Sequence, residues 1–333
     1  MDYTLNSKNF FVTEILHPKL GENGKYAYYI IEKKDLSHKQ LTRILPIGYY
    51  CGIKDKNATT KQWYCTPNPF EINDIREKNL LIEYKGRSNE RLHIGKHQGN
   101  KFRIKIKLEE NELKKMLSIN WNKKKICNYF GDQRFDERTN EFASLIEVNN
   151  FENALKFFLC EKSKFDSEKS SEIKKEISDN WGNWEKLVNS TIIPDSKKPI
   201  FVLLGKEKDF LKAFSLVEKK SLKQMLKSIQ SQRYNLMLHN ECLLKKSNGI
   251  KGVINEQELL LEATKAFKRK IFVKATGFET QFGATGLTRK TFFEPKKFKT
   301  KKMGKDYWLE FELGKGHYAT ILLIFLQKFL QKA

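Results

Sequence analysis

A single carboxylate stands between two lysines at Lys54-Asp55-Lys56, within the run Gly52-Ile53-Lys54-Asp55-Lys56-Asn57-Ala58-Thr59-Thr60-Lys61-Gln62-Trp63. In such a cationic setting a carboxylate stays ionised and can attack an electron-poor carbon. The small residues that follow Asp55 let a substrate come close, and Gln62 can orient a polar group. A second run, Asn128-Tyr129-Phe130-Gly131-Asp132-Gln133-Arg134-Phe135, concentrates amides, aromatics and an arginine in one loop-like segment. Aromatic rings stack on bases and amides read base edges. Asn128 in particular offers a donor and an acceptor to an amide-like edge. Together the two runs point to chemistry on a nucleobase, with neither metal nor redox cofactor.

Composition narrows the classes. Basic residues outnumber acidic ones 63 to 40, a net charge of +23, which favours a polyanionic partner. Lysine supplies 53 of those 63, a bias that genome composition also produces, so the charge alone does not define a binding face. The five cysteines (Cys51, Cys65, Cys127, Cys160, Cys242) form no Cys-x-x-Cys pair, which argues against a disulfide framework or a zinc ribbon. His93 and His97 are four apart but bracket Gly95, so a shared helical face for a metal is not expected. No stretch approaches the roughly 20 apolar residues that span a bilayer. The start of the chain lacks a secretory pattern, and a cytoplasmic protein is expected.

The elements that must position these runs follow from periodicity. Residues 10–15, 26–31, 80–84, 102–108 and 307–313 read as strands, and 37–45 and 109–119 as helices, with Ser37 a plausible cap. Beyond about residue 140 the pattern becomes helical over 141–160 and 208–244, around a charged, Ser-rich stretch at 163–178. In that region only Ile200-Phe201-Val202-Leu203-Leu204 carries a strand signal. The apolar run 321–326 reads as a buried helix. The expectation is an α+β fold, its mixed or antiparallel sheet with helices on one face, interrupted by a largely helical block. The Gly-rich turn 314–316 feeds this last helix but lacks P-loop spacing, so nucleoside triphosphate binding is not expected.

Six short motifs in order resemble the TruD family of tRNA pseudouridine synthases. Asn9-Phe10-Phe11-Val12-Thr13-Glu14 is similar to that family's Asp-Phe-x-Val-x-Glu, and the Asp55 run to its Gly-x-Lys-Asp-x-x-Ala-x-Thr-x-Gln. Gly99-Asn100-Lys101-Phe102, Asn128 to Phe135, Ser231-Gln232-Arg233-Tyr234-Asn235 and Gly316-His317-Tyr318-Ala319-Thr320 follow in register.

The resemblance implies a pseudouridine synthase catalytic domain in two pieces, 1–153 and 294–333, around an inserted, largely helical domain at 154–293. It implies isomerisation of uridine-13 of tRNA, approached from the D-arm side. That chemistry neither oxidises nor hydrolyses, so no cofactor is expected, no protein partner is implied, and a monomer is the default expectation. Asp55 falls on the catalytic aspartate and Phe130 on the aromatic that stacks against uracil. Phe10, Asn128 and Tyr318 fall on substrate-binding positions, with Lys54, Lys56, Gln62, Glu14, Gln133 and Arg134 in support. Thr4 stands where many members have a lysine, leaving Lys8, Lys54 and Lys56 as candidate partners for Asp55. Asp136 and His317 also depart from the family pattern. The alternative is a tRNA-binding or folding protein that keeps the fold without the activity.

Overall fold

The computed structural model describes residues 1–67, 75–77, 79–163, 166–242 and 270–331. Its first strands and helices are β1 (Asp2–Tyr3), β2 (Phe10–Ile15), β3 (Tyr26–Lys34), α1 (His38–Ile44), β4 (Tyr49–Tyr50), β5 (Thr59–Thr66), β6 (Ile75–Glu77), β7 (Leu80–Ser88), β8 (Gly99–Lys107), α2 (Glu110–Leu117) and β9 (Ile126–Cys127). Helices α3 (Thr139–Glu147), α4 (Phe151–Cys160), α5 (Glu168–Asp179), α6 (Trp184–Asn189), α7 (Lys198–Glu207), α8 (Phe210–Ala213) and α9 (Lys219–Cys242) follow. Then come β10 (Lys270–Val273), α10 (Gly277–Gln281), β11 (Leu287–Lys290), β12 (Phe292–Phe293), β13 (Lys296–Met303), β14 (Asp306–Gly314) and α11 (Ala319–Gln331).

The chain divides into two compact units after Asn128 and again before Phe292. The first unit holds a sheet ordered β13-β14-β8-β2-β5-β3-β7-β6, with β1 beside β8 and β4 beside β5. Among the described residues the pairings of this sheet are antiparallel except β2 with β5, which run parallel, so the sheet is mixed. Alternation along the strands decides which side is buried. Phe10, Val12 and Glu14 of β2, Phe102, Ile104 and Ile106 of β8, and Leu309, Phe311 and Leu313 of β14 are all buried. Rings carry the packing across strands: Phe10 on Phe102, Phe102 on Phe311 and Phe311 on Phe298, all near parallel. The predicted strand and helix positions in this unit all appear. Ser37 caps α1 through a reciprocal capping box with Gln40, and residues 321–326 are buried within α11.

The second unit packs its helices on one apolar cluster that includes Phe142, Leu155, Ile177, Phe201, Phe214 and Leu226. Three expectations change here. The 141–160 pattern is two helices, because Asn149 takes a left-handed backbone (φ 55°) and Asn150 caps α4 by accepting from the Asn153 amide. The 208–244 pattern, described through Cys242, breaks at Val217, whose extended backbone separates a short helical turn from α9. The apolar run 200–204 is helix rather than strand: Pro199 sits in the first turn of α7, and Ile200, Phe201 and Leu204 share its buried side. The antiparallel pair β10–β11, with α10 between its strands in sequence, supplies strands that the sequence pattern did not indicate. Helix α5 occupies most of the charged 163–178 stretch.

Candidate functional site

In the first unit a row of polar side chains crosses the buried side of the sheet. Asn100 of β8 lies opposite Glu14 of β2, Thr60 of β5 opposite Val12, and Lys33 of β3 opposite Thr60. Gly99 makes the first of these placements possible, since a Cβ there would run into the Leu313 carbonyl. The segment between β4 and β5 that carries Asp55 is tied down to this row at two successive residues. Lys54 sends its ammonium to Glu14 (2.7 Å) and to Asn100 Oδ1 (2.8 Å). Lys33 donates to the Asp55 carbonyl (2.8 Å) and to the Leu36 carbonyl (2.7 Å).

The Asp55 carboxylate then accepts from the Asn57 amide (2.8 Å), a local turn that sets its direction. Asp55 is half-buried, while Lys56 and Lys8 are exposed. Thus Lys54, one of the candidate partners, serves Glu14, and the buried cation at Asp55's backbone is Lys33.

Gln62 and Thr60 complete the row in an unusual state. Both are buried, and among the described residues the Gln62 amide atoms and the Thr60 hydroxyl have no hydrogen-bond partner. Unmet polar groups inside a protein carry a desolvation cost and are kept where a ligand or water completes them. Glu14 also accepts the Trp63 amide (3.0 Å), locking β2 to β5 beside Gln62.

Other reactive side chains nearby are held uncharged. Burial, with Glu14 adding to it, pushes the Cys51 thiol up to about 11, so it stays protonated at neutral pH. His97 is held below its usual value by burial and then by the charge on Lys54, so it is neutral. Among the described residues no group of three or more His, Cys, Asp or Glu side chains could hold a metal ion.

The other predicted residues of this unit lie as follows. Phe10 is buried in the aromatic core, Asn128 is buried at the end of β9, and β9 pairs with β12. Tyr318 is half-buried just ahead of α11, next to His317, whose ring stacks on Phe293 (5.0 Å, 20°).

Phe130, Gln133 and Arg134 belong to the second unit. Asn235 of α9 clamps the Phe130 backbone, accepting its N–H (2.8 Å) and donating to its carbonyl (3.0 Å). Tyr234 meets the Phe130 ring edge-on at 5.5 Å and donates to the Lys290 carbonyl. The guanidinium of Arg289 lies 4.0 Å from the Phe130 ring centre, with that of Arg134 at 5.6 Å. Arg134 also donates to Ser231 (3.0 Å). Gln133 and Arg134 line a cavity of about 810 Å³ with Arg138, Lys174 and Lys197, where Asp136 engages Arg138 and Asp166 engages Lys174.

Replacing Asn235 with Ala strands two buried backbone groups, each worth about 1–3 kcal/mol. Urea denaturation is expected to show a loss of roughly 2–4 kcal/mol in the transition that reports this unit.

Sequence reasoning missed Lys33, Asn235 and Arg289 as site residues. Lys33 had a signal: it continues the buried parity of Tyr29 and Ile31 along β3. Asn235 closes the Ser231–Asn235 motif, but the spacing does not say what it grips. Arg289 had none.

In class, this is the fold of a pseudouridine synthase. The crystal structure of a Methanosarcina mazei protein assigned to tRNA pseudouridine synthase D (TruD) matches it with a TM-score of 0.59 at 20% identity, covering 99% of this chain and 95% of that one. A family model described as tRNA pseudouridine synthase D (TruD) matches residues 5–270, and the chain belongs to that family. A Methanococcus maripaludis protein named "Probable tRNA pseudouridine synthase D 1" is 28% identical over 97% of this chain and 98% of its own length. The tRNA pseudouridine synthase D of Aquifex aeolicus is 26% identical over 72% of this chain and 66% of its own.

Proposed function

We propose that this protein is a tRNA pseudouridine synthase that isomerises uridine-13, with Asp55 as the nucleophile. The observation that carries the reading is the Asp55 loop itself, fixed at Lys54 and at Asp55 by polar groups from three strands, the buried Glu14 and Lys33 and the half-buried Asn100. Such anchoring is what a nucleophile needs, because a reacting group must be held near its attack geometry. The target nucleotide leaves the stack, since its glycosidic bond is out of reach in folded RNA. Asp55 attacks at C1′ or at C6, and the N1–C1′ bond breaks. The detached base turns, C5 joins C1′, the bond between Asp55 and the carbon it attacked breaks to return the carboxylate, the C5 proton leaves and N1 takes one up. Atoms and charge balance without oxidation or net hydrolysis, so the reaction calls for no cofactor.

Gln62 and Thr60, with their hydrogen bonds unmet, are suited to polar groups of the substrate. Asn128, Phe130, Phe10 and Tyr318 take the substrate-contacting roles that the motif resemblance implies for these positions. The helical second unit acts as the inserted domain of the family and contributes to tRNA binding, and the enzyme works as a monomer in the cytoplasm. Among the described residues no helix is long and apolar enough to cross a membrane.

The test is incubation with unmodified tRNA carrying uridine at position 13, followed by carbodiimide labelling and primer extension. A stop at that position supports the reading. A stop elsewhere moves the target site, and tRNA binding with every uridine unchanged favours a non-catalytic tRNA-binding protein.

A further inference from the structure

We infer that Lys33 is the positioning residue of the Asp55 loop, a charged clasp that keeps the nucleophile aimed and loosens when the clasp loses its proton. The inference rests on the proposed role of Asp55.

Lys33 is 1% exposed at the end of β3, flanked by Thr60 on β5 and Leu80 on β7, neither of them charged. Its ammonium joins two main-chain carbonyls from different segments: Leu36, at the entry to α1, and Asp55, in the loop between β4 and β5. The charged groups that face it are Asp55, from that loop, and Asp35, next to it in the turn after β3. Asp35 in turn accepts from Ser7 Oγ (2.8 Å), and the Ser7 carbonyl accepts from Thr59 Oγ1 (2.7 Å), one residue past Ala58. Lys33 thus stands between the Asp55 carbonyl and the charge of Asp35, whose chain of hydrogen bonds through Ser7 ends on Thr59, the first residue of β5. A hydrogen bond from a charged donor is stronger than a neutral one, so the grip depends on the proton.

That proton is held weakly. Burial pulls Lys33 down from 10.5 to about 8, against the opposing pull of Asp55 and Asp35. Below pH 8 the clasp is charged; as pH rises through about 8 it becomes neutral. The folded value lies below that of a free lysine, so the ionised group opposes folding below pH 8. That opposition fades between about 8 and 10.5. At this group, therefore, an alkaline loss of activity comes without a loss of stability, which separates it from unfolding.

The experiment compares wild type, Lys33→Met and Lys33→Arg by kcat and KM between pH 6.5 and 9.5, and by hydrogen exchange of the peptide covering residues 52–58. Wild-type kcat is expected to fall several-fold with a midpoint near 8 while KM holds steady. Lys33→Met is expected to lose about 10- to 100-fold in kcat, without that alkaline limb, and to exchange faster at 52–58. Lys33→Arg keeps its charge and is expected to abolish the limb while retaining slow exchange. An alkaline limb unchanged in both variants, or wild-type exchange at 52–58 in Lys33→Met, overturns the inference. If wild type forms no pseudouridine, the proposed function fails, and the exchange comparison still decides whether Lys33 holds the loop.

Discussion

Asp55→Asn is expected to abolish pseudouridine formation, by about 10⁴-fold or more in kcat, while tRNA affinity stays within about twofold of wild type. The structure explains why the substitution is so selective. The Lys33 bond goes to the Asp55 main-chain carbonyl, which the change leaves in place. The Asn57 amide donates to Oδ1, and an asparagine side chain keeps an acceptor oxygen there. The neighbouring Lys54 remains on Glu14 and Asn100. The loop should therefore keep its shape, and what is lost is the anionic nucleophile alone. The measurement is single-turnover formation of pseudouridine beside a filter-binding titration with the same tRNA. A variant that still turns over at a tenth of the wild-type rate would remove Asp55 from the nucleophile's role. A variant that loses binding as well would make Asp55 a contact residue first.

How much of this was readable in advance depends on how local each feature is. The Asp55 run stood out because its charged, small and amide residues are consecutive, and the strands of the first unit were legible because alternation is strong in β2 and β8. Lys33 was hidden for the opposite reason. Lys33-Lys34-Asp35 looks like the solvated end of a strand, and lysine is so common in this chain that one more carries no signal. Only the closing of α1 and the Asp55 loop over it makes Lys33 a buried cation, and that depends on contacts 3 and 22 residues away in sequence. Helix boundaries in the second unit failed on single residues. Asn149 ended a helix that periodicity carried through it, and Ile200 to Leu204 was too short for periodicity to tell helix from strand. The roles of Asn235 and Arg289 depend on chain separations of more than 100 residues from Phe130 and Tyr129, beyond any spacing rule.

The same distinction between local motif and distant partner governs the second large effect, on stability. Lys54 and Glu14 are 6% and 1% exposed at their side chains and lie 2.7 Å apart. An ion pair buried to that degree adds little net stability as a pair, because both charges have left water. Removing one member is another matter. Lys54→Met leaves the Glu14 carboxylate buried without its cation and Asn100 Oδ1 without its donor, and should cost about 3–5 kcal/mol. At roughly 2–4 °C per kcal/mol for a unit of this size, the melting transition is expected to fall by about 6–20 °C.

Adding Glu14→Gln to Lys54→Met removes the stranded charge and should restore much of the loss, though Trp63 keeps an acceptor only if the new amide turns its oxygen toward it. A double-mutant cycle by urea denaturation reads this directly. A loss below about 1 kcal/mol for Lys54→Met, with no recovery in the double variant, would mean the pair is hydrated and does not anchor the loop. Recovery of stability without recovery of kcat is the informative result. It would show that the protein tolerates a neutral pair in the sheet interior but the chemistry does not, because Lys54 anchors its own place in the loop as Lys33 anchors the Asp55 main chain. Two lysines, one anchoring Lys54's own position and one the Asp55 carbonyl, would then account for a loop held firmly on both sides of the Lys54–Asp55 peptide.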